Sequence, residues 1–254
     1  MIALSRFTSP APTSGGKNVY GVPVGVLVLE SRFPRIPGDV GNADTWPFPV
    51  QFRVVAGATP DRIVRHLSRE SFLDPFLAAA KELEQQGVSL ITTGCGFLVL
   101  LQADLQREVG IPVLTSSLLQ VPWVARSLPT GQAVGVLTVE GSSLTPAHLA
   151  AAGITPDLPV VVAGVDTAGG YFTSQILGDA ADLDVELARA EHITAASRMV
   201  QKHPQIGAFV LECTNMPPYA ADIAKATGRP VYDLTTMVVW AATASRRRRF
   251  GGYL

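Results

Sequence analysis

Two cysteines, Cys95 and Cys213, are the only thiols in a chain of 254 residues. Cys95 lies in VSLITTGCGFLVLLQADLQREVGIPVLT and Cys213 in IGAFVLECTNMPPYAADIAKATGRPVYDLT. Shifting the first stretch by 118 positions, the difference between 213 and 95, also superposes Asp104 on Asp222, Gly110 on Gly228, Pro112 on Pro230 and Val113 on Val231. Thiols at matching points of a repeat suggest two half-sites that face each other. A facing pair suits a reaction that takes a proton from one side of a carbon and handles it on the other.

Each thiol falls between an apolar run and a helical stretch. Gly94 and Gly96 flank Cys95, so the backbone there can turn sharply and come close to a ligand. Thr214 and Asn215 follow Cys213, and then Met216, Pro217 and Pro218; either proline suits the first turn of a helix. A thiol at a helix N-terminus feels the positive end of the dipole, so both thiols are expected to ionise more readily than a free cysteine. The free N–H groups of such a turn can also hold a carboxylate. Asp104 and Asp222 sit nine residues beyond each thiol, about 13 Å along a helix, too far to take part.

The elements that position the thiols also recur. VGVLVLE (24–30) returns as VGVLTVE (134–140), and VVAG (54–57) returns as VVAG (161–164). Short Val/Ile/Leu runs alternate with longer helical stretches, the pattern of parallel strands buried on both faces and joined by crossover helices. Strands are expected near 22–29, 50–55, 88–93 and 111–115, and again near 133–139, 158–163, 206–211 and 229–232. Phe72, Phe76, Ala79 and Leu83 share one helical face that ends at Gly87. Leu183, Leu187, Ala190, Ile193, Ala196 and Val200 give a second apolar stripe. Further helices are expected near 116–126 and 234–245. The fold class is therefore α/β: two pseudo-two-fold-related domains, each a short parallel sheet flanked by helices, with the site in the cleft beyond the strand ends. The expected division is a flexible arm over 1–19, a first domain of 20–115 plus 235–254, and a second domain of 116–234.

Composition removes several classes of function. A net charge of −1 and 16% charged residues advertise neither nucleic acid nor an anionic membrane as partner. No apolar run reaches the ~18 residues of a spanning helix, and the first residues lack the pattern of a secretory signal. Two cysteines in that setting favour a reducing, cytoplasmic compartment. No Cys-x-x-Cys spacing or neighbouring histidine points to a metal. Arg246–Arg249 either complement the dipole of the last helix in solvent or meet a partner. A homodimer is the expected assembly.

With GVLVLESRFPRIPGD after the first strand, TTGCGF at the first thiol, GVLTVEGSSLT opening the second half and LECTNMPPY at the second thiol, the chain resembles the aspartate/glutamate racemase superfamily, which also includes hydantoin racemases, arylmalonate decarboxylases and maleate isomerases. The resemblance covers nearly everything after the N-terminal arm. It implies two α/β domains around one site, no cofactor, and a cysteine on each face of the substrate's α-carbon, matched here by Cys95 and Cys213. It implies substrate-binding roles for Glu30, Ser31, Arg32 and Arg35 after the first strand, for Thr214 beside the second thiol, and for Asp166 with Thr167 in the second half. Glutamate racemases read Cys-Asn-Thr at the first thiol, where this chain reads Cys95-Gly96-Phe97. They carry a histidine where this chain has Asn215. The decarboxylases keep one thiol of the two, which argues against that branch.

The function expected from this reading is a cofactor-independent racemase or epimerase, an isomerase acting at the carbon α to a carbonyl of a small amino-acid-like or carboxylate substrate. The alternatives are a maleate-type isomerase or related lyase with a nucleophilic cysteine, and a non-catalytic two-domain ligand binder. Thr115 and Ser116, at the end of the fourth strand, either line the cleft or cap the next helix.

Overall fold

Val, Ile and Leu runs without polar alternation become the inner strands, covered on both faces. The computed structural model describes residues 15–247 and 249–251. Residues 1–14 of the expected arm and Arg248 of the arginine run lie outside the described residues. The strands are β1 (Val24–Leu29), β2 (Val50–Val55), β3 (Leu90–Thr93), β4 (Val113–Leu114), β5 (Ala133–Thr138), β6 (Val160–Gly164), β7 (Ile206–Leu211) and β8 (Val231–Tyr232). They form two four-stranded parallel sheets, in the orders β2-β1-β3-β4 and β6-β5-β7-β8. The same winding twice over is the architecture that the repeat implies.

The helices are α1 (Pro60–Val64), α2 (Arg69–Gln86), α3 (Gln102–Glu108), α4 (Val121–Ser127), α5 (Pro146–Ala151), α6 (Tyr171–Leu177), α7 (Val185–Lys202), α8 (Ala220–Thr227) and α9 (Leu234–Ser245). α2 buries Phe72, Phe76, Ala79 and Leu83 and stops at Gly87, whose φ of 99° is the left-handed cap that glycine adopts without strain. α9 returns to the first sheet: Leu234, Met237, Val238 and Ala242 close over Val24, Val26 and Leu90.

The apolar stripe expected on α7 is corrected. Leu187 and Ala190 are exposed, and the buried face carries Ala188, Glu191, His192, Ala195, Ala196 and Met199. Two polar side chains displaced the pattern. Glu191 accepts the N–H groups of Tyr171 and Phe172 at 2.8 Å each, satisfying orphan donors at the start of α6. His192 is fully buried, stacked on Tyr219 and edge-on to Phe172, with Nδ1 2.7 Å from the Ala188 carbonyl. Burial pushes its imidazole down to about 4, so it is neutral near pH 7.

Several contacts tie the two sheets' segments together. Arg65, after α1, forks onto Glu140 at 2.6–3.2 Å. Asp179, after α6, accepts the N–H of Arg32 at 2.5 Å and of Phe33 at 3.2 Å. Thr214 donates to the Gly94 carbonyl at 2.7 Å.

A candidate active site between the two sheets

Both thiols stand two residues beyond the carboxyl end of a central strand. Cys95 follows β3 and starts a 3-10 turn over Gly96–Leu101; Cys213 follows β7, with a 3-10 turn over Pro217–Tyr219 just beyond. Because β3 and β7 hold the same place in their sheets, the two sulfurs reach one cavity. It encloses about 320 Å³ of space, its mouth included, and is lined by Leu29, Phe33, Pro60, Val64, Gly94, Cys95, Gly96, Phe97, Val139, Ile176, Glu212, Cys213, Thr214 and Asn215. The walls are mostly apolar, and both cysteines are free thiols.

The expected ease of ionisation is corrected. Burial is the largest influence on both thiols, and the neighbouring Glu212 carboxyl adds to it. Cys95 is pushed up to about 12, although the N–H groups of Phe97 and Leu98 and the Arg35 guanidinium pull the other way. Cys213 is pushed well above the usual thiol range, with only the Asn215 N–H opposing. Cys95 caps its turn, but a short turn in a dry site is outweighed by desolvation, and Cys213 stands three residues before Met216, the residue that caps its turn.

A polar chain leads from Cys213 to the surface. Its S–H donates to Asn215 Oδ1 at 3.5 Å, Asn215 Nδ2 donates to Asp39 at 2.6 Å, and Asp39 takes Arg35 at 2.9 Å. A carboxylate only accepts, so Asp39 fixes which way the Asn215 amide faces and leaves its oxygen for the thiol. Arg35 also donates to Ser31 at 2.9 Å and lies over the Phe33 ring, 4.6 Å from its centroid.

Of the residues singled out from sequence, Gly94, Cys95, Gly96, Cys213, Thr214 and Asn215 come together at the cavity. The others serve its frame. Glu30 is exposed and accepts the Gly57 N–H at 2.7 Å. Arg32 is 78% exposed beside Asp179. Ser31 and Arg35 belong to the chain behind Asn215. Thr115 bonds Gln102 at 2.7 Å, and Ser116 accepts the Leu118 N–H at 3.2 Å, which is the capping role. Asp166 accepts the Gly141 N–H at 3.0 Å, and Thr167 donates to the Gly164 carbonyl at 2.8 Å.

Sequence reasoning missed Glu212, Asp39 and Phe33. Glu212 carries the clearest signal. A carboxylate directly after six apolar strand residues (IGAFVL) and directly before a thiol must either find a partner or stay buried without one. It is fully buried, with Oε2 accepting from Thr138 at 2.7 Å and Oε1 without a hydrogen-bond partner among the described residues. Desolvation raises it to about 7, against the pull of Thr138.

No family model matches the sequence. A dimethylsulfoniopropionate lyase of Durusdinium sp. clade D is 30% identical over 227 residues, which cover 87% of this chain and 74% of that protein. The chain belongs to the dimethylsulfoniopropionate lyase family. Dimethylsulfoniopropionate lyase 7 of Emiliania huxleyi (strain CCMP1516) is 30% identical over 239 residues, 90% of this chain and 69% of that one. Dimethylsulfoniopropionate lyase 6 of the same strain is 31% identical over 221 residues, but the chain spans only 57% of its length. Among solved structures, glutamate racemase from Francisella tularensis subsp. tularensis SCHU S4 superposes with a TM-score of 0.55 at 18% identity, over 89% of this chain and 82% of that one. Picrophilus torridus aspartate racemase gives 0.55 at 17%, over 91% and 96%. An arylmalonate decarboxylase gives 0.56 at 13%, over 90% and 94%. The fold is therefore that of the aspartate/glutamate racemase superfamily.

These relatives overturn the expected activity. The racemase and epimerase reading, with its isomerase class, followed the paired thiols and the family resemblance; the family's curated members are lyases. The lyase, carried among the alternatives, is the reading they support. No helix among the described residues is long and apolar enough to cross a membrane.

Proposed function

We propose that this chain is a lyase that breaks dimethylsulfoniopropionate into dimethyl sulfide and acrylate. The observation that carries the proposal is the pair of free thiols on one apolar cavity, in a chain of this family. A thiolate, from Cys95 or Cys213, removes a proton from the carbon next to the carboxylate. The C–H electrons become the Cα–Cβ double bond, the Cβ–S bond breaks, and its electrons stay on sulfur. Dimethyl sulfide departs uncharged, so no acid has to protonate the leaving group. Racemisation needs an acid and a base on opposite faces, whereas this elimination needs one base. The same paired-thiol fold therefore serves either reaction, and the leaving group decides between them.

Burial suits the task. A proton next to a carboxylate is only weakly acidic, and a dry thiolate is a stronger base than a solvated one. The N–H groups of Gly96 and Phe97, at the start of the turn after Cys95, would steady the charge that gathers on the substrate carboxylate. The Arg35–Asp39–Asn215 chain would aim the Cys213 sulfur. An internal base and a neutral leaving group leave no step for a metal or organic cofactor. A cytoplasmic setting, which keeps both thiols reduced, and a dimeric assembly complete the proposal.

The test follows acrylate by proton NMR with substrate deuterated at the α-carbon. Acrylate formation with a primary isotope effect, lost in Cys95→Ser or Cys213→Ser, is expected. Exchange of the α-deuterium with solvent while no acrylate appears would overturn the proposal.

A further inference from the structure

Glu212 has no role in the proton transfer above, yet it is the only carboxylate among the residues lining the cavity. Oε1 has no hydrogen-bond partner among the described residues, and the other oxygen is occupied by Thr138. Oε1 faces the first thiol's loop so closely that a Cβ placed on Gly96 would meet it at 2.2 Å. Among the described residues Glu212 forms no salt bridge, and Arg35, the guanidinium of the chain behind Asn215, is paired with Asp39 at 2.9 Å. An ion left dry and unpaired is costly, and proteins keep one where a ligand supplies the missing charge. The walls of the same cavity include Phe97, Val139 and Ile176, surfaces that suit methyl groups rather than an ammonium with protons to donate.

We propose that Glu212 is the subsite for a methylated onium group, the cationic end of a zwitterionic carboxylate, and that it makes the enzyme select charge as well as shape. This rests on the lyase reading for the choice of a sulfonium, though its test does not need turnover. The idea also links binding to chemistry. The Glu212 carboxylate raises both thiols, and a cation seated on it offsets that influence, so the base forms more readily once substrate is in place. The titratable groups facing Glu212 are those two thiols, on the turns after β3 and β7; Thr138 on β5 does not titrate. From the loop after β1, Asp39 acts on Cys213 and Arg35 on Cys95.

The experiment is calorimetric titration with two carboxylates of equal shape, 3-(trimethylammonio)propionate and its carbon analogue 4,4-dimethylpentanoate, which lacks the cation. At pH 8 the wild type should prefer the cation by roughly a hundredfold, the size expected for a buried pair against an unpaired ion. Glu212→Gln should abolish the preference, and Glu212→Asp should keep part of it. In the wild type the preference should fall about tenfold per pH unit below 7, as Glu212 takes up a proton. Equal affinities in the wild type, or an undiminished preference in Glu212→Gln, would overturn the assignment; the wild-type measurement stands even where a variant fails to fold. If the preference holds and no dimethyl sulfide is released, the lyase reading fails and the subsite stands. If dimethyl sulfide is released without the preference, the subsite fails and the lyase reading stands.

Discussion

Gly96 should be the most size-sensitive position at the cavity. It begins the turn after Cys95, and a methyl group there would meet Glu212 Oε1 at 2.2 Å and the Glu212 backbone oxygen at 2.4 Å. The side-chain oxygen can swing aside, but the backbone oxygen belongs to the end of β7, which is anchored by the Glu212 N–H bond to the Leu137 carbonyl at 2.8 Å. Carbon–oxygen contacts normally begin near ~3.3 Å, so Gly96→Ala must separate the two thiol-bearing loops by roughly 1 Å. Overpacking of that kind costs about 1–3 kcal/mol, or a fall in Tm of ~2–10 °C for a chain of this size. A shift of ~1 Å between reacting groups costs on the order of a hundredfold in rate. Gly94→Ala is the control, because its methyl would meet Val28 Cγ1 at 3.2 Å, a contact that a small rotation relieves. Thermal melting and dimethyl sulfide release, measured side by side, should show Gly96→Ala crippled in kcat and Gly94→Ala mildly affected. An active, fully stable Gly96→Ala, or a Gly94→Ala that is the worse of the two, would refute the reasoning.

Asp179 holds the loop that presents Phe33 to the cavity, so Asp179→Ala should raise KM about tenfold with a smaller change in kcat, on a loss of ~1–2 kcal/mol for hydrogen bonds to a charged group; an unchanged KM would contradict it. Stability should carry two opposing pH dependences. His192 titrates near 4 when folded against 6.5 unfolded, so its part of the stability rises with pH between about 4 and 6.5, by at most ~3 kcal/mol. Glu212 titrates near 7 when folded against 4.5 unfolded, so its part is present below 4.5 and is lost as pH rises to about 7, by a similar amount. Urea melts should therefore show Glu212→Gln gaining on the wild type from pH 5 to pH 8, and curves that run parallel would count against a dry Glu212.

Much of this was legible because buried parallel strands are written in local sequence. β2 and β7 fall on their expected bounds, and α9 spans Leu234–Ser245 as its pattern implies. The paired thiols were legible for the same reason: repeat equivalents on central strands must reach the same cleft. The misses have a common cause in polar groups whose partners are distant in sequence. Glu191 and His192 enter the core of α7 because α6 and Tyr219 satisfy or cover them, and apolar periodicity does not register that. Glu30, Arg32 and Asp166 look like ligand contacts in a loop, but Gly57, Asp179 and Gly141 take them up. Thiol ionisation was misjudged because a helix dipole is visible in sequence and desolvation is not. The choice between isomerase and lyase lay beyond the motifs, since a pair of thiols on one cavity is compatible with either reaction.

The most direct measurement is headspace gas chromatography of the purified protein with millimolar dimethylsulfoniopropionate at pH 8, run beside the double variant Cys95→Ser/Cys213→Ser. Dimethyl sulfide formed in step with acrylate by the wild type, and absent from the variant, is the predicted result. No dimethyl sulfide from the folded wild type, or equal release by the folded variant, would contradict a thiol-driven lyase.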